Sequence, residues 1–121
     1  MHEYSVAKYA VEEILELLGN KSPELVTAVG LKIGKMSGIV PDSLLYYLGI
    51  LAPESGLKNV TFHTSLQPVL FKCNNCETLF EPSRELFWCP RCGSSDVTFV
   101  SGNELEIDYI EMEKEVKKHE V

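Results

Sequence analysis

The chain has 121 residues, is 45% hydrophobic and carries a formal net charge of −7. That size makes one compact domain or two very small ones; no apolar run is long enough to span a membrane, and the acidity argues against a general nucleic-acid binder. The amino terminus lacks a basic segment followed by an apolar run, so a reducing, cytoplasmic setting is expected.

Residues Tyr4 to Leu18 read as an amphipathic helix. Val6, Ala10, Ile14, Leu17 and Leu18 recur at three- and four-residue steps, while Lys8, Glu12, Glu13 and Glu16 point away. Gly19 and Asn20 end it. From Leu25 to Ile33 the period changes to two, with Leu25, Thr27, Val29, Leu31 and Ile33 on one face of a strand. A loop over Gly34 to Gly38 leads to a second helix that starts near Pro41. It is carried by Leu44, Leu45, Leu48 and Leu51 and closes before Pro53 to Gly56.

Val60, Phe62, Thr64 and Leu66 alternate as a second strand, which Pro68 breaks. Beyond a cysteine-rich segment, Val97 to Val100 reads as a strand and Ser101 to Asn103 as a turn. Leu105, Ile107 and Tyr109 then alternate with acidic residues as a third half-buried strand. The expected fold is α+β: a small three-stranded sheet with two helices, plus a zinc-ribbon module inserted between its second and third strands. The expected organisation is an α/β domain over 1–66 and 103–113, a ribbon over 67–102, and a charged tail over 114–121. Glu111 onward reads as a solvated extension or a frayed helix.

The cysteine-rich segment reads CNNC, twelve residues, then CPRC, over Cys73, Cys76, Cys89 and Cys92. Each CxxC turn folds two sulfurs and nearby amides toward one point, so the two pairs suit one tetrahedral metal ion. Thr78 to Phe80 can pair with Leu86 to Trp88 as a hairpin joining the two knuckles. Gly93 suits the left-handed residue that such a knuckle needs. Its counterpart Glu77 takes that conformation at a cost of roughly 1 kcal/mol. Four thiolates also suit iron, and two disulfides would use the same residues. Zinc fits best with a reducing compartment and no other redox feature nearby. A closed set of four cysteines describes a structural site, which holds a segment too short to fold on buried surface alone.

Met1, His2 and Glu3 form a second chemical feature. An α-amine, the amide nitrogen of residue two and its imidazole form fused chelate rings in one plane, and a further amide such as that of Glu3 completes four nitrogen donors. Flat nitrogen sets favour Ni(II) or Cu(II) over Zn(II). The amine and imidazole must both lose protons to bind, so affinity falls as the solution is acidified.

The opening MHEYS, the stretch VGLKIGKMSGIVP, the cysteines in CNNC and CPRCGS, and the closing SGNELEI stand in an order and at separations that resemble the HypA/HybF family of hydrogenase maturation proteins. The resemblance spans nearly the whole chain. It implies a nickel metallochaperone rather than an enzyme, one that helps deliver Ni(II) to the [NiFe]-hydrogenase large-subunit precursor with a HypB-type GTPase. Some members of the family also serve urease, which adds urease maturation factors as candidate partners. His2 matches the nickel-binding histidine, with the Met1 amine and the Glu3 backbone beside it, and Cys73, Cys76, Cys89 and Cys92 match the zinc ligands. Zn2+ is then a structural cofactor and Ni2+ a transient cargo. Tyr4, where an aliphatic residue or Met is usual, and Glu77, where Gly is common, depart from the pattern without removing a ligand.

The alternative reading is a zinc-ribbon adaptor that makes protein or nucleic-acid contacts and is indifferent to His2. A small iron redox protein is a third. His63 and His119 read as surface residues, and the Gly34 to Gly38 loop lacks the glycine-rich strand-to-helix pattern that cradles a phosphate.

Overall fold

A computed structural model describes residues 3–82 and 88–114 of the chain. In order, these form helix α1 (Glu3–Leu18), a 3-10 turn (Pro23–Leu25), β1 (Val26–Gly34), α2 (Pro41–Glu54), β2 (Thr61–Gln67), β3 (Leu70–Cys73), β4 (Leu79–Phe80), β5 (Val97–Ser101) and β6 (Leu105–Met112). One three-stranded sheet runs β2-β1-β6 and a second runs β4-β3-β5. The α+β class, with a ribbon inserted between β2 and β6, therefore holds. Among the described residues, no helix is long and apolar enough to cross a membrane.

The chain divides into two compact units. One comprises Met1–Leu31, Ile39–Thr64 and Ile107–Val121; the other comprises Lys32–Gly38 and Ser65–Glu106.

In the first unit α1 packs on α2. The buried stripe of α1 is Ala7, Ala10, Val11, Ile14 and Leu18, at the three- and four-residue steps that keep one face inward. Leu17 is 60% exposed, which corrects its assignment to the core: it lies just outside the stripe, about 20° beyond its Ala10 edge. Gly19 ends α1 with φ of 60°, and its amide reaches the Leu15 and Glu16 carbonyls. Helix α2 buries Leu44, Leu48 and Ala52 and runs through Pro53 to Glu54, past the expected stop. The proline falls in the last turn, so it forfeits only one bond near the helix end, and the Ser55 amide closes on the Ala52 carbonyl while the Gly56 amide closes on the Pro53 carbonyl.

Strand β1 begins one residue later than expected, because Leu25 belongs to the 3-10 turn started by Pro23. Val29, Leu31 and Ile33 are buried as the alternation requires, yet Val26, Ala28 and Gly30 on the other parity are buried too. Gly30 lies against the ring of Tyr109, and an added Cβ would collide with that ring.

Two strands change phase. In β2 both Ser65 and Leu66 are exposed, so Leu66 leaves the inward series begun by Phe62 and Thr64. In β6 the same slip falls at Asp108 and Tyr109; Ile110 and Met112, rather than Tyr109, continue the series of Leu105 and Ile107. Strand β6 also reaches Met112, and the Glu113 amide donates to the Leu25 carbonyl at 2.8 Å, so Glu111 and Met112 belong to the strand and not to the expected extension. The expected tail beyond Lys114, His119 included, lies outside the described residues.

In the second unit, Phe71 of β3 stands opposite both Phe80 and Phe99, making a row of three rings with centroids 6.1 and 5.9 Å apart. Leu79 and Phe80 pair with β3; of their expected hairpin partners, Leu86 and Phe87 lie outside the described residues and Trp88 is in no strand. The SGNELEI stretch closes this unit tightly. The Glu104 carboxylate accepts from the Gly102 amide at 3.0 and 3.2 Å, the Gly102 carbonyl accepts from Met36 at 2.7 Å, and the Gly34 amide donates to the Glu104 carbonyl at 2.8 Å.

Candidate metal centre

The ribbon's buried cluster is Cys73, Phe80 and Cys89, with Phe71, Cys76 and Val97 packed against it. Among the described residues, two of its three buried members are therefore cysteines, and their hydrocarbon alone is a thin core. The two CxxC turns repeat one hydrogen-bond pattern. The Glu77 amide donates to the Cys73 carbonyl at 2.9 Å and the Gly93 amide to the Cys89 carbonyl at 2.8 Å. The Cys73 amide donates to the Thr78 carbonyl and the Cys89 amide to the Ser94 carbonyl, both at 2.9 Å. Glu77 has φ of 63° and Gly93 of 75°, so each knuckle has the left-handed residue the motif requires. The first knuckle forms with glutamate there, which leaves Cβ strain in place.

All four sulfurs lie within 4.8 Å of one another. The Cys73–Cys92 and Cys76–Cys89 pairs are 3.5 Å apart. A tetrahedral ion with Zn–S bonds of about 2.3 Å sets sulfurs about 3.8 Å apart, so this arrangement fits zinc. The cysteines are free, and their sulfurs are 3.5 Å apart rather than at the roughly 2.05 Å of a disulfide bond. Iron suits the same four-sulfur geometry.

Amides point at the sulfurs from within each turn: Cys76 N–H at Cys73 Sγ and Arg91 N–H at Cys89 Sγ, each at 3.4 Å. The thiols are accordingly unequal. Cys76 is lowered to about 6, first by the Thr78 hydroxyl and then by the Thr78 amide. Cys92 is lowered by the Ser94 amide and the Asn75 side chain. At Cys73 the Cys76 amide pulls downward, but burial and the neighbouring sulfurs of Cys92 and Cys76 outweigh it and push the thiol up to about 11. A metal cation at the centre favours the thiolate at every position.

The chain matches, over residues 1–112, the family described as hydrogenase/urease nickel incorporation, metallochaperone, HypA. The chain belongs to the HypA family. A hydrogenase maturation factor HypA from Roseiflexus sp. is 32% identical over 114 residues, covering 93% of each chain. One from Parabacteroides distasonis is 34% identical over 116 residues, covering 95% of this chain and all of the relative. The solution structure of the Ni metallochaperone HypA from Helicobacter pylori superposes with a TM-score of 0.70 at 25% identity, over 95% of this chain and all of that one. The family is one of metal incorporation, and the four-cysteine cluster gives this member a place suited to an ion such as zinc.

Of the other residues singled out from sequence, Met1 and His2 lie outside the described residues. Glu3 opens α1, and its Oε2 accepts a hydrogen bond of 3.3 Å from the Val40 amide, at the N-cap of α2. Tyr4 stacks edge-on against Tyr47 with centroids 5.7 Å apart, and Tyr47 meets Tyr46 in the same manner. His63 is exposed on β2.

Sequence reasoning passed over the side chains between and beside the cysteines. Asn75 Nδ2 lies 3.6 Å from Cys92 Sγ, Thr78 Oγ1 lies 3.1 Å from Cys76 Sγ, and Asn74 ties its knuckle to Asp96 and Thr98. The signal available was the pair of amide side chains inside CNNC.

Proposed function

We propose that this chain is a nickel metallochaperone that binds Ni(II) through Met1, His2 and Glu3 and helps insert it into the [NiFe]-hydrogenase large-subunit precursor. Cys73, Cys76, Cys89 and Cys92 hold a structural zinc ion that folds the ribbon over 67–102. The observation that carries the reading is the family match from residue 1 to 112, described by nickel incorporation, in a chain whose second residue is histidine.

The donor chemistry supports it. The Met1 amine, the His2 amide and imidazole, and the Glu3 amide make a planar nitrogen set that suits Ni(II). The first amides of an α-helix have no intrahelical acceptor, so removing the Glu3 amide proton breaks no bond of α1. The Glu3 carboxylate is engaged with Val40 at the positive end of α2, where a carboxylate is favoured, so the backbone of Glu3 is its available donor. A site of this kind gives up its cargo when its donors are protonated or a better ligand approaches.

The partners are a HypB-type GTPase and the hydrogenase precursor, with urease maturation factors as further candidates, and the setting is cytoplasmic. The role is transfer of an ion, not catalysis. The test is complementation of a host lacking its own member of this family. The parent chain restores nickel-dependent hydrogenase activity and His2→Ala does not. Equal restoration by His2→Ala would favour the zinc-ribbon adaptor.

A further inference from the structure

The knuckles present their sulfurs unequally. Cys73 and Cys89 are 0% and 1% exposed, whereas Cys76 is half-buried and Cys92 exposed. Each outward sulfur has a neutral side-chain donor beside it. Thr78 Oγ1 is 3.1 Å from Cys76 Sγ, and Asn75 Nδ2 is 3.6 Å from Cys92 Sγ. A thiolate bound to a metal has no proton to give, so the Thr78 hydroxyl must be the donor of its pair.

Asn75 belongs to the first knuckle and Cys92 to the second, so this bond crosses the site. Its neighbour Asn74 is turned elsewhere. Asn74 Nδ2 donates to Asp96 Oδ1 at 3.0 Å and to Thr98 Oγ1 at 2.8 Å, and its backbone amide donates to the Asp96 carbonyl at 2.9 Å. The two asparagines of CNNC thus divide the work: Asn74 fastens the knuckle to the β5 side, and that anchoring aims Asn75 at the sulfur.

We propose that Thr78 and Asn75 are positioning residues that set metal retention at the ribbon, one for each outward thiolate. Four thiolates around a divalent ion leave an excess of two negative charges. Hydrogen bonds from outside the ligand set disperse that charge, orient the sulfurs and lower their readiness to exchange. The inward sulfurs are shielded by burial; the outward ones take these side-chain donors in addition to backbone amides. The inference rests on the four-cysteine metal reading.

The test uses the purified full-length chain with Thr78→Val, Thr78→Ser and Asn75→Leu. Zinc affinity is measured by competition with a chromogenic chelator, and the thiolate-to-metal charge-transfer band is recorded on the Co(II)-substituted proteins, which also reports whether the tetrahedral site has formed. Thr78→Val and Asn75→Leu are expected to weaken zinc binding roughly tenfold or more and to move the Co(II) band to lower energy. Thr78→Ser, which keeps the hydroxyl, is expected to behave as the parent. A parent that holds one zinc alongside variants with unchanged affinity and an unmoved band would overturn this assignment alone. Thr78→Ser weakening as much as Thr78→Val would do the same, because the methyl rather than the hydroxyl would then matter. A parent that binds no metal would overturn the metal reading and this inference together.

Discussion

Glu77 is where the strain in the first knuckle resides. Its φ of 63° is the left-handed region that an L-residue with a Cβ occupies at a cost, and its side chain is exposed. Glu77→Gly is expected to raise stability by about 0.5–1 kcal/mol, the strain relieved exceeding the added freedom of the unfolded chain. Thermal unfolding of the zinc-loaded proteins measures it, and a lower midpoint would contradict it. The converse change, Gly93→Ala, meets no neighbouring atom within 4 Å, so its expected loss of about 1–2 kcal/mol is backbone strain alone. This pair was legible in the sequence, because a knuckle of this type demands the conformation whichever residue occupies the position. The donors Asn75 and Thr78 were not legible, since a spacing rule names the ligands and says nothing of which side chain between them turns toward a sulfur.

Helices were read well because one period of 3.6 residues covers a whole element. The errors in α1 and α2 sit at the margins of the stripe, as with Leu17, or where a proline falls in a last turn. Leu44→Ala or Leu48→Ala is expected to destabilise by about 2–5 kcal/mol, both residues being fully buried, whereas Leu17→Ala stays within about 0.5 kcal/mol. Chemical denaturation separates the two classes. The strands were read less well, because an alternation carries no warning of a slip. Successive exposed residues at Ser65–Leu66 and Asp108–Tyr109 shift the inward series by one, and the ring of Tyr109 crowds Gly30 of β1. The glycines of β1 follow from the same crowding. A Cβ at Gly34 meets the backbone of Gly102, which cannot rotate away, and one at Gly30 meets a ring, which can. Gly34→Ala is therefore expected to cost more than Gly30→Ala, where overpacking is worth about 1–3 kcal/mol.

At the scale of the whole molecule, order in the ribbon should depend on metal and order in the helices should not. Among the described residues, the buried cluster of the ribbon is two cysteines and one phenylalanine, while the first unit draws on apolar residues of α1, α2 and β1. Zinc supplies about 10–16 kcal/mol of apparent binding energy in small sites. Chelation is expected to speed amide exchange over residues 70–101 and leave α1 and α2 protected. Uniform loss of protection would contradict this division. Acid should also separate the two metals. Amine and imidazole donors, with reference pKa values of about 7.7–8.0 and 6.5, take up protons as pH falls through that range. Nickel is therefore expected to leave while zinc is still held, and simultaneous release would count against a nitrogen site. The fold class and the insertion of the ribbon were legible because breaks at Gly19, Pro68 and Gly102 punctuate the pattern. The nickel corner rests on residue chemistry and family.

The most direct measurement is metal content by elemental mass spectrometry, after adding Ni(II) to protein with a native, untagged amino terminus and to its His2→Ala variant. One zinc per chain in both, with one further nickel in the parent only, is the expected result. Equal nickel in both proteins, or none in either, would contradict an amino-terminal nickel site.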